Sequence, residues 1–168
     1  MIGVLWLAVS FLPQINTPIN ADRAAEVALV RAGTTTAIPP SPVQRRTHNV
    51  RVIFIGVSSD SLVIDGARSA LRSSDATPRF DIVLPAGPAI VDADDVYLVR
   101  MKSKDGRRSL GFTSSPEHPI SKGDLVPLRF EPPSATSSRM LRAQAATPLK
   151  PGEYALLIDA RFYPFGID

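Results

Sequence analysis

Five basic residues crowd one short stretch of the chain: Arg100, Lys102, Lys104, Arg107 and Arg108. Asp105-Gly106 lies between them and reads as a two-residue hairpin turn, because both residue types tolerate positive φ. On such a hairpin Arg100, Lys102 and Lys104 share one face with Val96 and Leu98, so the stretch can form a small anion-binding patch. Charge on a hairpin also keeps a free strand edge from pairing with another chain. Tyr97 is expected to point inward with Val99 and Met101. That leaves few aromatic platforms for stacked bases, and no specific nucleic-acid binding is expected.

Other chemistry has less to build on. Asp92, Asp94 and Asp95 form the acidic cluster, but their spacing lacks the glycine and the later glutamate of an EF-hand loop. They read as a solvated loop before a strand. The chain has two histidines, His48 beside a proline-rich stretch and His118 next to Glu117. No Gly-x-Ser-x-Gly elbow presents a serine to either of them. The absence of cysteine removes disulfides, zinc–thiolate sites and cysteine nucleophiles together. No glycine-rich phosphate loop is present. The expectation is therefore a non-enzymatic protein with no catalytic residue, metal site or cofactor.

The elements that must position these residues are short. A chain of 168 residues, 44% hydrophobic, suffices for one domain with its own core. Sixteen prolines and ten glycines without a period favour many brief elements joined by turns over long helices. A net charge of +3 describes a solvated surface, with at most weak attraction to anionic polymers.

From Met1 to Leu12 the chain is nearly all apolar, too short for the ~20 residues of a membrane span. The length suits the hydrophobic region of an export leader, with a cleavage point after Ala21, although no basic residue precedes it. The alternatives are a true start further upstream or a segment packed on the domain. Residues 22–33 read as a short alanine-rich helix, capped by Asn20 or Asp22 and stopped by Gly33. Residues 34–46, with Pro39, Pro40 and Pro42, read as a linker.

A folded domain is then expected over 47–168. Asn49 to Val57 reads as a central strand apolar on both faces, followed by a turn at Ser58-Ser59-Asp60. Residues 67–78 read as loop or as one helical turn. Phe80, Ile82 and Leu84 mark a half-buried strand, and the basic hairpin comes next. Asp124 to Phe130, broken by Pro127, reads as an edge strand. Arg139 to Ala143 leads into a closing hairpin, in which Pro151-Gly152 turns into a strand filled on one face by Tyr154, Leu156 and Ile158. Phe162, Tyr163, Phe165 and Ile167 return, with Pro164 marking an edge or a bulge. About eight strands at this spacing predict an all-β fold, a small immunoglobulin-like β-sandwich preceded by the short helix and linker.

The ending Leu149-Lys-Pro-Gly-Glu-Tyr-Ala-Leu156 with Phe165-Gly-Ile-Asp168 resembles that of a group of bacterial exported β-sandwich proteins. The likeness extends to Ile64-Asp65-Gly66-Ala67-Arg68-Ser69, to Thr77-Pro78-Arg79-Phe80 and to Val96–Arg100, and so covers roughly residues 60–168. It implies a small sandwich and attaches no activity. The resulting expectation is an exported accessory or binding domain of the cell envelope, periplasmic, surface-bound or extracellular. Its partner would be a protein or an envelope polymer. The rival readings are a structural or assembly subunit that uses its apolar N-terminal segment, in the cytoplasm if no export occurs, and a carboxylate-based hydrolase.

Overall fold

Short alternating runs can satisfy their backbone N–H and C=O groups only by pairing sideways. The structure, a computed structural model, describes residues 24–31, 33–52, 55–85, 93–112, 120–131, 139–159 and 161–168. Among these residues the chain forms thirteen strands and one 3₁₀ turn at Ala93–Asp95. The strands are β1 (Glu26–Arg31), β2 (Thr34–Ile38), β3 (Gln44–Val52), β4 (Ile55–Asp65), β5 (Arg72–Ser73), β6 (Arg79–Val83) and β7 (Val96–Lys104). They continue as β8 (Arg107–Phe112), β9 (Leu125–Val126), β10 (Leu128–Phe130), β11 (Met140–Ala145), β12 (Gly152–Ile158) and β13 (Arg161–Ile167). The leader-like segment 1–21 lies outside the described residues. No helix among the described residues is long and apolar enough to cross a membrane.

Two sheets result. One has the order β10-β11-β6-β1-β2; the other runs β3-β4-β8-β7-β12-β13-β5, with β9 added beside β7. They face each other across a common core. Register sets Leu29, Phe80 and Ala143 in one row and Val27, Ile82 and Leu141 in the next. Opposite them lie Leu98, Leu156 and Tyr163, and then Tyr154 and Phe165. The Phe80 and Phe165 rings meet across the gap with centroids 5.2 Å apart. The Tyr163 hydroxyl donates to the Ala25 carbonyl at 2.9 Å, and burial raises the pKa of this phenol. The architecture is a β-sandwich.

The second sheet is covered on its outer face as well. Val99, Met101, Ala155 and Phe162 pack there with Ile64, Leu110 and Ile120. Strand β12 is thus buried on both faces, where its sequence pattern predicted one. Tyr97 departs from expectation and is 42% exposed.

The expected helix over 22–33 is a strand over its described part. Val27 and Leu29 point into the core at a spacing of two, and β1 pairs with both β2 and β6. An isolated helix of that length is marginal in water, so two lateral partners override the weak preference of its alanines. Gly33, with φ of 84°, serves the β1–β2 turn instead of ending a helix. The expected linker over 34–46 contains β2 and the start of β3, and between them the Ser41 N–H donates to the Phe162 carbonyl at 2.8 Å. The sandwich therefore begins well before residue 47.

The strand expected to be central, Asn49 to Val57, is split between β3 and β4. These pair from Gln44↔Val63 to Val52↔Ile55, which leaves β3 at the sheet edge and Ser58 to Asp60 inside β4. Pro127 divides its strand as expected, and it also moves the chain between layers. Val126 pairs with Leu98 in one sheet, and Leu128 with Ala145 in the other. Strand β10 is an edge among the described residues. Pro164 stands where the outer side of β13 is unpaired among the described residues, between the Ser41 bridge and the short parallel pairing with β5.

Candidate functional site

The hairpin expected at Asp105-Gly106 forms, with φ of 51° and 73° at the two turn residues. Its five basic residues do not make one patch. Arg100 and Lys102, at alternate exposed positions of β7, line an open groove at the end of the larger sheet. Lys104 is exposed further along the strand and does not line it. Arg107 lies 3.6 Å from the Asp65 carboxylate. Arg108 belongs to the opposite face and is 5% exposed. Strict side-chain alternation in β8 separates neighbours that composition alone would group.

Arg108 leads to a polar cluster that charge counting missed. Register places Glu153 between Met101 and Gly166 on the outer face of the sheet, and it too is buried. Its Oε1 accepts from Arg72 Nη1 at 2.6 Å, and its Oε2 accepts from the Ser69 backbone N–H at 2.7 Å. Arg108 Nη1 stands 3.8 Å from Oε2. The Arg108 guanidinium also donates to the Gly66 carbonyl at 3.0 Å, to the Asp65 carbonyl at 3.3 Å and to the Ser69 hydroxyl. Burial lowers the pKa of Arg108, and the charge of Glu153 opposes that shift.

Arg72 completes the cluster. Its Nε donates to Asp168 Oδ1 at 2.5 Å and its Nη2 to the Ile167 carbonyl at 2.9 Å. The bond to Asp168, then that to Glu153, raises the pKa of Arg72. The guanidinium crosses directly over Gly166. A Cβ on that residue would stand 2.7 Å from Arg72 Cζ, closer than real Cβ contacts come. Glycine at 166 is therefore what lets Arg72 reach Glu153.

These bonds fasten the connection from Gly66 to Ser73 onto the sheet. Gly66, with φ of 87°, starts the turn out of β4. Ser103 Oγ donates to the Ala67 carbonyl at 2.7 Å, and the N–H groups of Gly166 and Asp168 donate to the carbonyls of Leu71 and Ser73. The segments 64–69, 151–156 and 165–168, far apart in the chain, meet here. A glutamate at an alternating position of an otherwise apolar strand was the sequence signal for a buried polar anchor, and Gly166 marked the close approach.

The fastened connection forms one wall of the groove, a cavity of about 790 Å³. Arg68, Arg72, Arg100 and Lys102 supply its cations, and Asp124, Glu153 and Asp168 its carboxylates. Lys102 Nζ is 3.8 Å from Asp124, and Arg68 is 3.5 Å from Asp168. Exposed pairs of that kind stabilise by at most about 1 kcal/mol. The size is that of sites for small molecules.

The remaining sequence expectations fall elsewhere. Asp94 and Asp95 sit in the 3₁₀ turn before β7, and Asp92 lies outside the described residues. His48 lies on β3, and His118 is outside the described residues. Among the described residues no three His, Cys, Asp or Glu side chains gather as they would around a metal ion. Comparisons with protein-family models, with curated proteins and with solved structures return no match to this chain.

Proposed function

We propose that the protein is an exported, non-enzymatic binding module of the bacterial envelope, an immunoglobulin-like sandwich in the loose sense, with the groove as its recognition site. The observation that carries this reading is the state of the groove's carboxylates. Glu153, Asp168 and Asp124 are each already paired with a cation. A carboxylate-based hydrolase needs one carboxyl group to give a proton and another to act on water or on the substrate. Here both oxygens of Glu153 are occupied by donors that hold the fold together. A rigid wall with fixed charges suits recognition, because little ordering remains to be done on binding.

Export rests on the apolar start and on where the sandwich begins. Ala25 is buried beneath Tyr163 and β1 starts at Glu26, so cleavage after Ala21 removes none of the described strands. Cell fractionation with mass spectrometry of the N-terminus checks this in the native host. The expected result is a chain beginning at Asp22 outside the cytoplasm. An intact Met1 in the cytoplasmic fraction would overturn export and favour an assembly role for the apolar segment.

A further inference from the structure

We infer that the groove takes a small ligand through a single carboxylate held by Arg100, an assignment that rests on the binding-module reading. Among the described residues the groove's lining carries four cations, Arg68, Arg72, Arg100 and Lys102, and the side-chain carboxylates of Asp124, Glu153 and Asp168. Arg72 is committed to Glu153 and Asp168, Arg68 to Asp168 and Lys102 to Asp124. Arg100 is the lining cation that no carboxylate of the described residues pairs with. This residue is exposed, opposes Tyr154 across the β7–β12 ladder, and lays its guanidinium over Gly152. Its Nε and Nη2 stand 3.8 Å from where a Cβ of Gly152 would be, an ordinary van der Waals contact.

The shape of the donor selects the ligand. A guanidinium presents parallel N–H groups that match the two oxygens of a carboxylate. A phosphate dianion would be repelled more strongly than a carboxylate by Asp124 and Asp168, which also line the groove. Among the described residues the groove's lining contains no Phe, Tyr or Trp to serve as a stacking platform. That favours a small acid over a stacked sugar or base.

The test is a titration of the isotope-labelled full chain with sodium acetate, followed by amide and arginine side-chain NMR signals at constant ionic strength. A parallel arm uses inorganic phosphate. The expected result is a saturable shift of the Arg100 side chain and the Gly152 amide with acetate. Arg100→Lys, which keeps the charge and loses the fork, binds acetate roughly tenfold more weakly or worse. Equal binding by Arg100→Lys, or shifts spread evenly over surface lysines and arginines, would overturn the assignment. Groove shifts with phosphate and not with acetate would overturn the carboxylate and leave the groove as a binding site. Silence of the groove with both anions would overturn the carboxylate and the groove together, whatever the fractionation shows about export.

Discussion

Glu153→Ala is expected to lower the melting temperature by roughly 10–15 °C, a loss of about 3–5 kcal/mol for a domain of this size. The substitution removes the carboxylate that Arg72, Arg108 and the Ser69 N–H all reach. Arg108 stays buried without its counter-charge, and the Ser69 N–H is left unsatisfied. Arg108→Met is expected to destabilise less, because Glu153 then keeps Arg72 and the Ser69 amide and the methionine fills the stem's volume. Thermal unfolding of the two single variants and the double variant checks that order. Losses in the double variant that simply add would show that Arg108 and Glu153 do not interact.

Phe165→Ala is the second large effect, at about 3–5 kcal/mol. The side chain is fully buried, tilted 58° against Phe80 of the facing sheet and stacked 5.9 Å from Tyr154 in its own. Truncation opens a cavity between two layers that backbone pairing holds in place, so the void cannot collapse fully. Urea denaturation should show a lower midpoint with an unchanged slope. Phe165→Leu, which keeps most of the volume, should lose far less. A loss below about 1 kcal/mol for the alanine variant would mean that the two sheets do not meet at this ring.

Phe80, Ile82, the Asp105-Gly106 turn and the closing hairpin were legible in the sequence because each is local: alternation over five to seven residues and a turn with defined φ requirements. The all-β class followed from them. Strand β1 was not legible. Six residues with an alanine among them fit a helix turn as well as a strand, and the partners that decide, β2 and β6, include one some fifty residues away. The edge position of β3 was hidden for the same reason, since an apolar run does not say how many neighbours it has. The basic hairpin was legible as a hairpin, with Arg100, Lys102 and Lys104 on one face; the burial of Arg108 was not legible. Its neighbours Arg107 and Arg108 face opposite ways, toward Asp65 at the surface and Glu153 in the interior. Glu153 finds its other partners 84 and 81 residues away, at Ser69 and Arg72, a distance no periodicity spans.

A fixed groove wall depends on the connection from Gly66 to Ser73 being held as firmly as the sheet beneath it. Native-state hydrogen exchange of the Ser69 amide measures this directly, because that N–H is bonded to Glu153 alone. The expected result is protection comparable to the core amide of Leu156, lost in Glu153→Ala, which leaves no acceptor at this position, with exchange faster by roughly tenfold or more. Exchange of the Ser69 amide at the rate of a free loop in the native protein would contradict a preformed groove, and with it the recognition site.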